Sequence, residues 1–243
     1  MENDDVFSVS LGRRQILGGA TALALLGLTR TLAAARVAPV LLDSEDASGL
    51  DVGDLIDADA LQGMCVLTPS ETQGPYYLNL NLIRSDITEG KPGIPTRLFL
   101  NIVRASDCTP IPNAACDVWH CDALGLYSGI PSLGTAGQTF LRGIQFTDAS
   151  GMTYFDTIYP GWYPGRTTHV HVKVRPTSTS ELTSQIYFPQ SLSTRIAGRP
   201  PYSSKGVNPT TNNGDPLFLP ETVANVLGVL GGKLHLQLTI GVA

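Results

Sequence analysis

The sequence predicts an all-β protein: an antiparallel β-sandwich core with long connecting loops and little helix. Short extended runs recur from residue 97 onward, and clusters rich in Pro and Gly separate them. Valines at positions 170, 172 and 174 alternate with polar residues, which is typical of a strand with one buried face. Many short strands separated by turns are typical of a sandwich or barrel.

The individual strand predictions follow from runs of β-branched and aromatic residues between turns. Leucines also alternate with polar residues near the end of the chain, and helix signals are weak apart from a turn or two expected within residues 220–230. The expected strands cover residues 98–103, 115–119, 139–146, 153–158, 168–174, 182–187 and 234–242.

The first 35 residues have the layout of a twin-arginine signal peptide. Arg13 and Arg14 precede an apolar run without charge, residues 16–28, and small residues at 33–35 suit a cleavage site. A membrane span needs about 20 apolar residues, so the mature form is expected to have none. The alternative is a buried helix behind a chance arginine pair. Export would place the protein in the periplasm or outside the cell.

The remaining chain divides into an acidic arm and one domain. Residues 36–63 are predicted to be a solvated arm or linker, and residues 64–243 a single catalytic domain. The net charge is −5 and no basic run is present, which argues against a nucleic-acid partner. The sequence leaves homo-oligomerisation open. Seven acids mark the arm: Asp43, Glu45, Asp46, Asp51, Asp54, Asp57 and Asp59.

The four cysteines predict two disulfides. An even number of cysteines is typical of disulfide pairing in an exported protein, and spacing alone leaves all three pairings open. A cysteine metal site is the alternative, but no Cys-x-x-Cys pair supports it. The residues are Cys65, Cys108, Cys116 and Cys121.

The segment from Gly161 to His171 contains the most informative group of polar residues. His169 and His171 are two positions apart on a predicted strand, so both side chains point to the same face and can reach one metal ion. Tyr163 and Arg166 lie a few residues upstream. A His-x-His pair alone is a weak signal for metal, and the neighbouring tyrosine strengthens it.

Tyrosine ligands favour ferric iron over zinc or copper. A phenol has an unperturbed pKa of about 10, so a strongly acidic cation is needed to displace its proton. A second phenolate would bring a ferric site closer to neutrality. Tyr127 is the candidate, because it lies in a loop flanked by Gly125 and Gly129. The alternative for either tyrosine is a packed ring with a solvated hydroxyl.

Four ordered segments resemble the intradiol ring-cleavage dioxygenases. Residues 116–129 resemble the signature of that family, and residues 163–171 resemble its second metal-binding segment. Residues 68–77 resemble its N-terminal active-site segment, and residues 182–188 the strand that follows the metal ligands. The matches are collinear and together extend over about residues 64 to 243.

The resemblance implies a β-sandwich enzyme with one non-haem Fe(III) per chain. Its ligands would be Tyr127, Tyr163, His169 and His171. The implied reaction is cleavage of a small aromatic diol by dioxygen, between the two hydroxyl-bearing carbons, to a cis,cis-muconate-type dicarboxylate. Tyr163 would also act in catalysis, leaving the metal as the diol binds.

The resemblance also implies roles for residues around the metal. Arg166 would face the bound ring and stabilise the negative charge that develops on it, and Gln185 would lie near that arginine. Tyr76 would line the substrate cavity. Trp162 and Tyr76 would offer flat apolar walls to the ring. The interval from Tyr163 to His169 is shorter than in protocatechuate dioxygenases, which predicts a tighter loop around Arg166.

The scarcity of cations in the central motifs predicts an uncharged ring substrate. No lysine lies between Lys91 and Lys173, so few cations are available to hold a ring carboxylate. Catechol, alkyl-catechols or hydroxyquinol are therefore expected to be better substrates than protocatechuate. The physiological catechol stays undetermined by the sequence.

Two rival interpretations remain open at this stage. One is a non-catalytic, transthyretin-like β-sandwich binding module, and the other is a zinc hydrolase that uses His169 and His171. His120 and His235 are predicted to be structural and to lie outside the site.

Overall fold

Eight strands and one α-helix account for the regular structure of the part of the chain that the computed structural model describes, residues 49–56 and 65–243. Short 3₁₀ turns connect some of them. The strands are β1 (Pro95–Arg104), β2 (Ala115–Trp119), β3 (Arg142–Phe146), β4 (Met152–Ile158), β5 (His169–Arg175), β6 (Leu182–Tyr187), β7 (Asn225–Leu230) and β8 (Lys233–Val242), and the helix is α1 (Gln190–Ala197).

The strands form two four-stranded sheets, which confirms the predicted β-sandwich. One sheet has the order β4-β1-β8-β7 and the other the order β3-β2-β5-β6. The β1–β8 pair is parallel, with Leu100 opposite Leu238, whereas the other strand pairs of these sheets are antiparallel. A parallel pair needs a long connection, and the chain between β1 and β8 provides it by building the whole second sheet.

Alternate side chains of both sheets fill the space between them. Leu98, Leu100 and Ile102 of β1 belong to the same buried cluster as Val172 and Val174 of β5. Complete burial of one such side chain contributes about 1.5–3 kcal/mol. The period-2 pattern of β5 therefore arises from packing against the facing sheet.

The opposite face of β5 is buried as well, which the sequence did not predict. His169 and His171 are each only 2% exposed, and Lys173 is 6% exposed. The segment of residues 68–84 crosses this face and is fixed at both ends. Its Glu71 amide donates to Thr183 O at 2.8 Å, and residue 84 donates its amide to Ile144 O at 3.1 Å. This cover turns the polar face of the sheet into an interior site.

The expectation of a helical turn or two within residues 220–230 is met only at its start. Residues Pro220–Thr222 form a single 3₁₀ turn, and the following Asn225–Leu230 form β7, which pairs with β8. Gly231 and Gly232 join these two strands with φ angles of 56° and 74°. A two-residue hairpin turn with positive φ at both positions favours glycine, so the Gly-Gly pair was the signal for a hairpin.

The N-terminal predictions fall largely outside the described residues. The predicted signal peptide, residues 1–35, lies there, as do residues 36–48 and 57–64. Within residues 49–56, Leu50 and Val52 join the hydrophobic core, and Asp54 pairs with Arg195 at 2.6 Å. The boundary between arm and domain stays a prediction. None of the helices in the described ranges combines the length and apolar character needed to cross a bilayer.

The prediction of two disulfides was wrong in number. Cys65 and Cys108 form a disulfide, whereas Cys116 and Cys121 are buried free thiols. Cys116 points into the core between the sheets, but Cys121 belongs to a second cluster with Trp119 and Tyr127. The two thiols therefore lie in different buried clusters and remain unpaired.

We expect two protected thiols per chain. Under non-reducing conditions, the folded protein should show no thiol accessible to a thiol-reactive dye, because Cys116 and Cys121 are both buried. Unfolding in denaturant should expose two thiols, and Cys116→Ser and Cys121→Ser should each remove one of them. Finding no thiols after unfolding would contradict this arrangement and would support the predicted second disulfide.

Candidate metal centre

Two imidazoles and a phenol meet on the covered face of β5. The Nε2 atoms of His169 and His171 are 3.3 Å apart, and the Tyr163 hydroxyl lies 3.1 Å from His169 Nε2. The sequence predicted that the two histidines share a face because they are two residues apart on a strand, and the structure confirms that geometry. His169 is thus within hydrogen-bonding distance of two other predicted metal ligands, His171 and Tyr163.

Both histidines are held in fixed orientations. His169 donates its Nδ1 hydrogen to Thr167 O at 2.7 Å, which leaves Nε2 with a lone pair directed into the site. The ring of His171 stacks on Trp119, with ring centroids 5.0 Å apart and 3° between the planes. A Cβ atom at Gly74 would lie 3.3 Å from His171 Cε1, so the covering segment needs a residue without a side chain here.

Tyr127 brings the second predicted phenol to the same place. Its ring centroid lies 5.8 Å from that of Tyr163 and 6.3 Å from that of His171. The Tyr127 side chain is buried, and its hydroxyl has no hydrogen-bond partner among the described residues. A buried hydroxyl without a partner is costly in an ordinary core and suits a metal ligand.

The loop that carries Tyr127 is built around Asp122. One carboxylate oxygen of Asp122 accepts the amides of Leu124 and Leu126 at 3.0 and 2.9 Å, and the other pairs with Lys91 at 2.7 Å. Gly125 has a φ of 90°, and a Cβ atom there would lie 2.2 Å from the Trp162 carbonyl oxygen. Glycine is therefore required where the Tyr127 loop meets the chain just before Tyr163.

Burial keeps all four side chains neutral in the absence of a cation. It lowers the pKa of His169 to about 3 and moves the pKa of His171 well below its ordinary value. It also raises the pKa of Tyr163 to about 12 and that of Tyr127 well above its ordinary value. Neutral imidazoles are ready to bind a metal, whereas the phenols would ionise only beside a strongly acidic cation.

Tyr76 lies at the edge of this group. Its ring stacks on Tyr127 with centroids 4.5 Å apart and meets Tyr163 edge-on at 6.1 Å. Its side chain is half-buried, so the ring lies between the four donors and the surface. This position suits a wall of a substrate cavity.

Arg166 and Gln185 contact each other, as predicted. Arg166 Nη2 donates to Gln185 Oε1 at 2.5 Å and to the Tyr187 hydroxyl at 3.2 Å, while Nε donates to Asp215 at 2.8 Å. The predicted tight loop is braced from outside, because Asn208 donates to the Arg166 carbonyl at 2.9 Å. The Arg166 side chain is 15% exposed.

Trp162 has a different environment from the one predicted. Its indole donates to Gly206 O at 2.9 Å, and the Lys205 ammonium lies 4.4 Å from its ring centroid. It lines a surface cavity together with Tyr159 and Tyr202, on the side of residues 190–208. The structure brings Tyr76 to the four donors and gives Trp162 these other neighbours.

His120 and His235 behave as structural residues. His120 donates to Cys121 O at 2.8 Å and contacts the Thr157 hydroxyl at 2.7 Å, so both ring nitrogens have partners. His235 lies in the other sheet, where its ring meets Phe99.

Sequence reasoning did not identify several residues that shape the site. Trp119 orients His171, Asp215 holds Arg166, and Tyr187 bridges Arg166 to Glu71, whose carboxylate accepts the Tyr187 hydroxyl at 2.9 Å. The only available signal was for Trp119 and Tyr187, which alternate with core residues on predicted strands. Asp215 and Glu71 lie in irregular segments, where sequence spacing carries no directional information.

The donor set fits a hard trivalent cation better than zinc. Two neutral imidazoles and two buried phenols offer two phenolate charges on ionisation, which suits ferric iron. Within the described ranges, no cluster of three or more His, Cys, Asp or Glu side chains could hold a metal. The orphaned hydroxyl of Tyr127 is the observation that points most directly to a bound cation.

Comparisons with known proteins identify the family of this chain. A family model described as "Dioxygenase" matches residues 72–195, which include all four donors. An intradiol ring-cleavage dioxygenase from Tetranychus urticae is 31% identical, with a TM-score of 0.69, and the alignment covers 73% of this chain and 94% of that chain. The dioxygenase domain of a dioxygenase–carbohydrate-binding fusion from Streptomyces sp. SirexAA-E is also 31% identical, with a TM-score of 0.55 over 73% and 99% of the two chains.

The fold and these matches define a β-sandwich enzyme of the dioxygenase class. The chain belongs to the intradiol ring-cleavage dioxygenase family. Catechol 1,2-dioxygenase 1 of Acinetobacter lwoffii is 26% identical over 151 residues, which cover 53% of this chain and 48% of that protein. The chain thus spans about half the length of the curated relatives it matches.

The buried histidines predict a loss of stability in acid. Burial lowers the pKa of His120 to about 4, below the 6.5 of an exposed histidine, so the unfolded chain binds the proton first as the pH falls. The neutral His120 contributes fully to the free energy of unfolding above about pH 6.5. This contribution disappears as the pH falls towards 4, which lowers the free energy of unfolding by at most about 3 kcal/mol. His120→Gln should therefore flatten the pH dependence of the unfolding free energy in this range.

Chemical denaturation of the metal-free protein from pH 7.5 to 4.5 measures the effect. Comparing wild type with His120→Gln at each pH removes the contribution of other titrating groups, including His169. Parallel curves for the two proteins would contradict a buried neutral His120.

Proposed function

We propose that this protein uses one non-haem Fe(III) to cleave a catechol-type ring between its two hydroxyl-bearing carbons, giving a cis,cis-muconate-type dicarboxylate. The observation that supports this most directly is the gathering of Tyr127, Tyr163, His169 and His171 on the covered face of β5. Family membership supports the same reaction, since relatives are named as catechol 1,2-dioxygenases.

The four donors would hold the iron, which supplies Lewis acidity and a template for a diol and dioxygen when it is bound. The side chains of the chain itself would manage protons and orientation. Thr167 O keeps His169 Nε2 unprotonated, and Trp119 keeps the plane of His171 fixed. Tyr163 donates its hydroxyl hydrogen to His169 Nε2 at 3.1 Å, and as a phenolate beside bound iron it would be placed to accept a proton from an incoming diol.

Arg166 is the cation assigned to the reacting ring in the proposed mechanism. Burial is the larger effect on both groups, since it lowers the pKa of His169 and raises that of Tyr163, and the Arg166 charge acts to lower both pKa values. Asp215, Gln185 and Tyr187 fix the guanidinium, so it need not reorganise as negative charge develops on the ring. We assign it the role of stabilising that charge, with Gln185 as its support.

The charges around the site support an uncharged substrate. Lys91 pairs with Asp122, and Lys173 pairs with Glu181 at 2.7 Å, so neither is free to hold a ring carboxylate. The half-buried ring of Tyr76 supplies an apolar wall. Catechol, alkyl-catechols or hydroxyquinol are therefore the proposed substrates.

The two rival interpretations have less support. A non-catalytic binding module would not need a buried tyrosine hydroxyl without a partner beside two unprotonated imidazoles. A zinc hydrolase would normally add a carboxylate or a third histidine to His169 and His171. The neighbours of the pair here are Tyr163, Tyr127 and Trp119.

Purified protein made with iron available should contain one Fe(III) per chain and absorb broadly in the visible range. His169→Ala should remove the iron, because it deletes a donor at the centre of the group, and Tyr163→Phe should shift the absorption band. His235→Ala is the matched control, since this histidine lies in the other sheet, and it should retain both iron and band. Stoichiometric zinc in place of iron would contradict the assignment. Metal analysis and absorption spectra provide the measurement.

Uncharged catechols should have a higher kcat/KM than protocatechuate, with two oxygen atoms incorporated per product molecule. Arg166→Ala should lower kcat by roughly 100-fold, as loss of one preorganised charge-stabilising group does, while the iron content stays unchanged. Oxygen uptake and product mass measure both effects. A preference for protocatechuate would refute the charge argument alone, whereas a yellow semialdehyde product would refute intradiol cleavage.

We also propose export by the twin-arginine route to the periplasm or beyond, on the basis of Arg13, Arg14 and the apolar run that follows. Replacing both arginines with lysine should keep the precursor inside the cell, because this route requires the arginine pair. Arg30→Lys is the matched control and should leave export intact. Cell fractionation measures the distribution, and undiminished export of the double variant would contradict the assignment.

A further inference from the structure

The guanidinium of Arg166 is paired with a buried acid on one side. Its Nε donates to Asp215 Oδ2 at 2.8 Å, and the Asp215 side chain is fully buried. The same oxygen accepts the Thr167 amide at 2.9 Å, and the other oxygen accepts the Leu217 amide at 2.9 Å. Asp215 is therefore fixed by two backbone groups, and Arg166 cannot leave it without breaking a buried ion pair.

A second acid reaches Arg166 through one side chain. Arg166 Nη2 donates to the Tyr187 hydroxyl at 3.2 Å, and that hydroxyl lies 2.9 Å from Glu71 Oε2 and 2.7 Å from the Leu217 carbonyl oxygen, either of which can accept its single hydrogen. The other oxygen of Glu71 is buried without a hydrogen-bond partner among the described residues. Burial raises the pKa of Glu71 to about 7, so it carries its charge at mildly alkaline pH.

Two acids thus flank the one cation assigned to the reacting ring. An arginine beside a ring site would ordinarily attract a ring carboxylate, as arginine does elsewhere through paired hydrogen bonds. The buried Asp215 carboxylate lies 2.8 Å from Arg166 Nε and cancels most of the attraction of the guanidinium for a more distant anion. The N–H groups of Arg166 remain in place as hydrogen-bond donors at short range.

We propose that Asp215, assisted by Glu71 through Tyr187, determines the substrate range by cancelling the charge of Arg166, so that the site selects uncharged diols over diols with a ring carboxylate. This inference rests on the proposed function, because it needs a diol bound at the metal centre. It makes Asp215 a specificity-determining and positioning residue that acts through Arg166.

Removing the Asp215 charge should favour an anionic ligand. At an effective dielectric constant of about 20, one protein charge within about 10 Å of a ligand carboxylate changes the affinity for that ligand on the order of tenfold. Asp215→Asn keeps the size of the side chain and removes the charge. We therefore expect the affinity ratio of 3,4-dihydroxybenzoate to catechol to rise about tenfold in this variant.

The experiment measures binding without turnover. Iron-loaded protein is titrated at pH 8 without oxygen, separately with catechol and with 3,4-dihydroxybenzoate, and binding is followed by the change in visible absorption. Asp156→Asn is the matched control, because Asp156 makes a two-point pair with Arg97 in the other sheet at 2.8 and 2.7 Å. Its affinity ratio should equal that of the wild type.

If Asp215 has only a structural role, Asp215→Asn would weaken the binding of both ligands equally. The affinity ratio would then stay unchanged, which would overturn the inference. If Asp215→Asn does not fold, Glu71→Gln decides, with a smaller rise in the ratio expected and an unchanged ratio overturning the inference. A protein that binds catechol with an unchanged ratio refutes only this inference. A protein that binds neither iron nor catechol refutes the proposed function and this inference with it.

Discussion

The architecture of the site depends on two unprotonated imidazoles held side by side inside the protein. The Nε2 atoms of His169 and His171 are 3.3 Å apart and nearly inaccessible to solvent. Two protonated histidines could not occupy this position, because burial and mutual repulsion both oppose charge there. The carbonyl of Thr167 and the ring of Trp119 fix their orientation, and the adjoining phenols complete a donor set that lacks only a cation.

The covering segment is what converts a polar sheet face into this interior. Residues 68–84 run across β5 and β6, and this placement brings Tyr76 onto Tyr127 and Glu71 to Tyr187. The close approach of Gly74 to His171 shows how tightly the cover fits. A second brace comes from residues 208–215, which hold the short loop that carries Arg166. Together with the loop that carries Tyr127, four irregular segments therefore meet one regular strand at the site.

Regular periodicity explains which parts of this arrangement the sequence could predict. The alternation on β5 predicted the strand, the shared face of His169 and His171, and the packing of the valines. Resemblance to a family added Tyr127, Tyr163 and the pairing of Arg166 with Gln185, which pattern alone could not supply.

Features that depend on distant contacts were beyond prediction. The burial of the histidine face depends on a segment about 100 residues earlier in the chain. Family resemblance associated residues 68–77 with the site, but no periodicity in the segment predicts that it covers β5. Cys116 and Cys121 are five residues apart, yet the bend after β2 turns their thiols towards different clusters. Asp215 has no local signal either, since its partner lies in another loop.

Resonance Raman spectroscopy of the iron-loaded protein, excited within its visible band, tests the central claim most directly. If Tyr127 and Tyr163 both bind the ferric ion, the spectrum should contain enhanced tyrosinate vibrations from two distinct rings, and Tyr127→Phe should remove one set while iron stays bound. A spectrum of iron-loaded wild type without tyrosinate modes would contradict the account, because the buried phenols would then have some role other than metal binding.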